Sequence, residues 1–184
     1  MRKVSMFNFI TLNGFYKGAN EDISWHVHGG EEAEFSEKEA QSESILLFGR
    51  KTYEMMYSFW PTPQAHESFP VVADGMNKSQ KIVVSNTLET AAWNNTTILK
   101  GNLAEEIKRL KGKPGNDITI LGSGSIVTQL ADAGLIDAYQ IMIDPVAIGE
   151  GTSIFSGISH NLNLKLTDTK IFKSGVVLLC YEPK

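Results

Sequence analysis

The stretch Asp117-Ile-Thr-Ile-Leu-Gly-Ser-Gly-Ser-Ile-Val-Thr-Gln-Leu-Ala131 decides the fold. It opens on a short apolar run, Ile118 to Leu121, which reads as a buried strand. The run breaks at Gly122-Ser-Gly-Ser125, and Ile126, Val127, Leu130 and Ala131 then fall at helical spacing. Strand, glycine-rich turn and helix together aim free backbone N–H groups at one spot. The helix dipole adds partial positive charge there, so the turn suits a phosphate. Glycine permits both a close approach to the backbone and a positive φ. The familiar phosphate motifs do not fit. Val127 stands where the dinucleotide fingerprint needs its third glycine, and no Gly-Lys-Ser/Thr follows. No Gly-x-Ser-x-Gly nucleophile elbow can be read here either. The competing reading is a plain tight turn between packed elements.

A second junction of the same kind lies upstream. Ser44-Ile-Leu-Leu-Phe48 reads as a buried strand running into Gly49-Arg-Lys-Thr52, with Tyr53, Met56 and Tyr57 at helical spacing. Arg50 and Lys51 put two cations in the first turn, where they oppose the dipole. A bound anion would remove that conflict; otherwise both side chains simply point to water.

Working outward, residues 3–12 read as a central first strand ending at the turn Asn13-Gly14. Residues 15–30, with Trp25, His26 and His28, read as a long loop, and residues 31–44 as an exposed helix. Residues 60–75 carry Pro61, Pro63 and Pro70 and read as another loop. Residues 81–84 form a third strand closed by Ser85-Asn-Thr87, and residues 97–99 a short one. An amphipathic helix spans 102–110, with Leu103, Ile107 and Leu110 facing in. Gly134 suits the residue just past the end of the glycine-led helix. Residues 139–143 form another strand. Residues 162–172 and 176–181 read as a closing hairpin, with Leu162, Leu164 and Leu166 on one face. The alternation argues an α/β fold in one domain, residues 1–184. Its central sheet is mostly parallel, with helices on both faces and an antiparallel C-terminal hairpin.

Of the 184 residues 42% are hydrophobic and 21% charged, as in ordinary globular proteins. A net charge of −4 and a pI of about 5.6 argue against a nucleic-acid or anionic-membrane partner. The single cysteine, Cys180, lies in an apolar run and reads as a buried, inert thiol. No internal disulfide is possible, and the N-terminal apolar run is too short for a signal or a span. The expected location is the cytoplasm.

Three segments together resemble the dihydrofolate reductase fold, and more closely its branch containing the C-terminal reductase domain of bacterial riboflavin biosynthesis proteins. Phe9-Ile-Thr-Leu-Asn-Gly-Phe15 resembles that branch's Ala-x-Ser-Leu-Asp-Gly strand end. Phe48-Gly-Arg-Lys-Thr-Tyr-Glu54 is similar to the Gly-Arg-x-Thr-aromatic-Glu segment of dihydrofolate reductases. Leu121-Gly-Ser-Gly-Ser-Ile126, continued through Asp137, Asp144-Pro145, Gly149-Glu-Gly151 and Phe155, resembles the riboflavin branch. The resemblance implies NADPH binding and hydride transfer to a small-molecule substrate. It implies that Gly49, Arg50, Lys51 and Thr52 meet the cofactor's phosphates, and that Ser85 and Asn86 help hold its adenosine end. Gly122, Ser123, Gly124, Ser125 and Ile126 would cradle the pyrophosphate, and Phe9, Thr11, Asn13 and Gly14 would line the nicotinamide. It also implies a homodimer.

The sequence departs from the pattern in several places. Phe9 replaces a small residue, Asn13 replaces an acid, Ser123 interrupts a Gly-Gly pair, and Asp137-Ala138 lacks an acid pair. Folate reductases carry a pterin-binding acid on the first helix; here Glu31, Glu32 and Glu34 crowd its start, with Glu32 and Glu34 the catalytic candidates. Trp25, Phe48 and Phe155 are candidate stacking walls for a substrate, with core packing as the alternative for each. A reductase of a pterin-like or aminopyrimidine-like heterocycle competes with a non-catalytic binding protein that kept the fold. A third possibility is a metal site on His26 and His28, completed by His66, His160 or a carboxylate. No nucleophile motif supports Ser/His/Asp catalysis.

Overall fold

A computed structural model describes residues 1–26 and 29–184. Among the described residues ten strands run in chain order: β1 (Val4–Thr11), β2 (Phe15–Gly18), β3 (Ile45–Gly49), β4 (Lys81–Val84), β5 (Thr96–Leu99), β6 (Ile118–Leu121), β7 (Ala138–Asp144), β8 (Gly151–Ser153), β9 (Leu164–Ile171) and β10 (Val177–Pro183). The helices are α1 (Gly30–Ala40), α2 (Arg50–Phe59), α3 (Pro63–Ser68), α4 (Pro70–Lys78), α5 (Leu103–Lys111) and α6 (Gly124–Asp132). Eight strands form one sheet in the order β5-β4-β3-β6-β1-β7-β10-β9, while β2 and β8 pair separately. Strands from β5 through β7 run parallel, and β10 and β9 close the sheet antiparallel. This is the mostly parallel α/β sheet with a C-terminal hairpin that the alternation of elements predicts.

The register divides the core into two layers. Val4, Ile45 and Ile118 lie side by side across β1, β3 and β6, so residues in phase with them share a face. That face packs against α5 and α6 through Leu103, Ile107, Ile126, Val127 and Leu130. Alternate residues point the other way: Leu46, Phe48 and Val83 meet Tyr53 of α2 and Met76 of α4. Further along that second face, Phe7 and Phe9 pack with Phe35 of α1, Met142, Phe172 and Leu178. Ile45, Leu46, Leu47 and Phe48 are all buried because β3 is covered on both faces. Each such side chain contributes roughly 1.5–3 kcal/mol of burial.

Residues 60–75 are not the loop their prolines suggest. Pro63 and Pro70 each stand in the first turn of a helix, α3 and α4, where a missing N–H costs no hydrogen bond. Thr62 caps α3 by accepting the Ala65 amide at 3.2 Å. The long loop after β1 also holds more order than expected, since β2 pairs antiparallel with β8. In the closing hairpin, β9 is an edge strand whose residues 165–171 are all exposed, so Leu166 does not face a core. Cys180 is half-buried rather than fully enclosed, and burial pushes its thiol pKa up. Among the described residues no helix is long and apolar enough to cross a membrane.

Candidate nucleotide-binding site

Parallel pairing brings the C-terminal ends of β4, β3, β6 and β1 to one edge of the sheet, with Val84 beside Gly49, Ile120 beside Leu47, and Leu121 beside Phe7. Crevices at such edges are where open α/β sheets receive ligands. Two helices begin here. At α6 the chain turns through Gly122 (φ +59°) and Ser123 (φ 57°, ψ 57°), both left-handed. At α2 it passes through extended Gly49. The two turns are joined: Ser123 Oγ accepts the Gly49 amide at 2.9 Å and donates to the Leu121 carbonyl at 3.2 Å. A Cβ on Gly122 would stand 3.1 Å from Thr52 Cγ2, so the turns also touch. Neither helix has a side-chain N-cap or an acidic residue in its first turn. Their positive ends therefore lie side by side, with Ser125 exposed at the start of α6 and Ser123 and Gly124 buried.

Cations and polar turns extend this edge of the sheet. Arg50 donates from Nε to Glu54 at 2.7 Å and from Nη1 to Thr87 Oγ1 at 2.8 Å, tying α2 to the turn after β4. Buried Ser85 shapes that turn by accepting the amides of Thr87 and Leu88. Asn86 accepts the Gly101 amide at 2.9 Å. Lys51 is largely exposed, its Nζ 3.8 Å from Glu21. Ser125 is exposed in the first turn of α6, whereas Ile126 is buried. From the other side Tyr16, on β2, lies across the start of α6; a Cβ on Gly124 would meet its ring at 2.9 Å.

The end of β1 is a hydrogen-bonded turn. Thr11 Oγ1 accepts the Phe15 amide at 3.0 Å and donates to Asn13 Oδ1 at 2.8 Å, while Asn13 Nδ2 donates to the Ile148 carbonyl. Gly14 supplies the positive φ of 87° that this turn requires. Phe9 does not stand alone: the His26 ring stacks on it, centroids 3.7 Å apart. His26 Nδ1 lies 2.9 and 3.0 Å from the two oxygens of Asp144, and both side chains are buried. Asp144 sits beside Thr11 in the β1–β7 register.

A family model, the RibD C-terminal domain, matches residues 2–178. The chain belongs to the RibD C-terminal domain family. Among curated relatives, the Bacillus subtilis (strain 168) uncharacterized protein YyaP is 29% identical over 181 residues, covering 98% of this chain and 95% of that one. A Shewanella sp. PV-4 structure assigned to riboflavin biosynthesis superposes with a TM-score of 0.76 at 19% identity, covering 99% of both chains. Dihydrofolate reductase from Enterococcus faecalis, solved with NADP(H) and RAB-propyl, gives a TM-score of 0.67 at 15% identity, covering 99% of this chain and 96% of that one. These likenesses show a reductase-like fold.

Within this RibD C-terminal domain the expected substrate walls do not converge. Phe48 is wholly buried and stacks near Trp93 in the second-face core, so it is not a groove wall. Phe155 packs against Tyr139 on the opposite face. Trp25 lies edge-on to His26, its indole N–H donating to the Asp22 carbonyl. Of the candidate acids, Glu34 is exposed, and buried Glu32 accepts a hydrogen bond from Ser174 in the β9–β10 turn. The sequence reading missed the His26–Asp144 pair, because its partners are 118 residues apart and only the strand register brings them together. Among the described residues no group of metal-ligating side chains gathers. His66 lies near Asp74, His160 bonds Ser159, and His28 lies outside the described residues.

Proposed function

We propose that the chain is an NADPH-dependent reductase of a small heterocycle, pterin-like or aminopyrimidine-like. One observation carries this: the two helix starts are welded into one strip by the Ser123–Gly49 bond, with Arg50 at its far end. Two adjacent N-termini plus a guanidinium suit an elongated ligand carrying several negative charges. The glycines let the two turns and the Tyr16 strand pack closely, since side chains at Gly122 or Gly124 would strike Thr52 or Tyr16. Buried Asn8, on the α6 face of β1, has no hydrogen-bond partner for Oδ1 among the described residues; it would accept an amide N–H of a nicotinamide.

NADPH, when bound, supplies the hydride. The protein's part is to hold phosphates on the amides of α2 and α6, to fix the ring near the end of β1, and to exclude water with the strap bearing Tyr16. Fluorescence titration with NADPH and NADH tests this. Binding of neither below about millimolar ends the reading.

A second reading is favoured by the fate of Glu32, whose carboxylate is engaged by the hairpin. In it the chain binds nucleotide without turnover. Steady NADPH oxidation with a dihydropterin or an aminopyrimidine acceptor excludes that alternative.

A further inference from the structure

Asp144 ends β7 with a carboxylate that is buried, and among the described residues its one side-chain partner is His26. A single imidazole nitrogen, Nδ1, lies 2.9 and 3.0 Å from the two oxygens, so one N–H is shared by two acceptors. The same ring lies nearly flat on Phe9, at 17° and 3.7 Å between centroids. Phe9 pairs with Met142 and Thr11 with Asp144, so Phe9 and Asp144 are in phase and share one face of the sheet. Phe7 stands edge-on to Phe9, and Phe35 of α1 packs against Phe7. Phe9 is only half-buried even with the imidazole on it, so solvent reaches this place. The stretch leading to His26 is lightly held. Among the described residues, the hydrogen bonds of Asp22 to Trp25 stay within residues 18–26, and none reaches the large sheet or helices α1 to α6.

We propose that Phe9 and Asp144 form a binding site for a flat heterocycle bearing adjacent ring N–H and amino groups, and that His26 is its internal stand-in, displaced when the ligand arrives. The imidazole already shows the binding mode: a ring face on the phenyl group and an N–H edge on the carboxylate. It fills that mode incompletely, because it offers one N–H to two oxygens. A 2-aminopyrimidin-4-one ring, the part a pterin shares with aminopyrimidines, offers two parallel N–H groups, one for each oxygen. Being a larger ring, it also covers more of the phenyl face. Burial of the carboxylate makes the site selective: a ring without the amino group leaves one Asp144 oxygen unpaired where water is scarce. The acids on α1 are not placed for this task, since Glu34 is exposed and Glu32 is engaged by Ser174. Asp144 takes the anchoring role in their stead. The inference rests on the reductase reading in one respect only, that the bound ring is the hydride acceptor; binding of the ring needs no cofactor.

The test is calorimetric titration of 2-aminopyrimidin-4-one, and of pyrimidin-4-one, which lacks the amino group, together with NMR of the histidine ring nitrogens. Wild type is expected to bind the aminopyrimidinone about tenfold more tightly than pyrimidin-4-one, and binding should move the His26 ring signals. His26→Ala vacates the phenyl face and should bind the aminopyrimidinone about tenfold more tightly than wild type. Adding Asp144→Asn to His26→Ala turns one acceptor into a donor and should remove that gain. Circular dichroism checks that the variants fold, and the wild-type measurements decide the matter if they do not. No aminopyrimidinone binding by wild type with or without NADPH, equal affinity for the two rings, or binding that leaves the His26 signals unmoved overturns the proposal. Equal affinity in folded His26→Ala and its Asp144→Asn derivative overturns it too. If wild type discriminates the two rings and the His26 signals move while neither NADPH nor NADH binds, the site stands and the reductase reading falls. If NADPH binds while the aminopyrimidinone does not, the cofactor part of the reductase reading stands and this site falls.

Discussion

Ser123 Oγ accepts the amide of Gly49 at 2.9 Å, although 74 residues separate them. That bond fixes the relative position of two helix starts. Ser123 is buried and left-handed, so two substitutions separate its roles. Ser123→Ala loses the bond and keeps the strained φ; it should lower stability by about 1–2 kcal/mol. Ser123→Gly loses the same bond but relieves the backbone, so its stability loss should be smaller. Both should weaken NADPH binding. Urea denaturation and NADPH titration read the two effects separately.

Arg50 spans the first turn of α2 and the turn after β4. If its fork meets the extra phosphate of NADPH, Arg50→Gln should weaken NADPH binding about tenfold and NADH binding much less. The wild-type preference should also shrink as salt rises, since Arg50 is half-exposed. Parallel titrations at low and high salt check both parts.

His26 and Asp144 form a buried pair at the ends of the long loop and β7. Asp144→Ala leaves the imidazole without its carboxylate partner and should cost about 3 kcal/mol or more. The double change His26→Phe with Asp144→Leu replaces the pair by apolar groups and should recover most of that loss. Thermal and urea unfolding of the three proteins give the comparison.

Lys81 is buried at the C-terminal end of α4, where its ammonium donates to the carbonyls of Met76, Asn77 and Ser79 and lies 4.6 Å from the Trp93 ring centroid. Lys81→Met strands those acceptors and should cost about 2–4 kcal/mol at neutral pH. Burial also pushes the folded-state pKa down to about 8, against 10.5 for the free side chain. Between those values the unfolded chain holds a proton the folded chain has released, so wild-type stability should rise with pH relative to Lys81→Met. Unfolding curves for both proteins at pH 7.5 and pH 10 measure the difference.

How much of this the sequence carried depends on whether the signal is local. The strand–glycine–helix junctions at Gly49 and Gly122 are local patterns, and both elements form where the spacing places them. Pro63 and Pro70 misled because a proline looks alike in a loop and in a helix's first turn. Phe48 was ambiguous because β3 is apolar on both faces, so alternation could not say which side was open. Glu32 was set by its contact with Ser174, 142 residues away. The His26–Asp144 pair and the weld at Ser123 belong to the same class: each needs a register that no short window contains.

Ile126 and Val127 stand in the first turns of α6 and also in the main apolar cluster. Anything seated on the amides of that turn is thereby braced against the layer that keeps the chain folded, so occupancy should be readable as heat resistance. A compound at a hundred times its dissociation constant would add about 2.7 kcal/mol to the unfolding free energy. A melting-temperature screen of nucleotides, and then of heterocycles in the presence of the best nucleotide, would reveal the molecules this chain accepts independently of turnover.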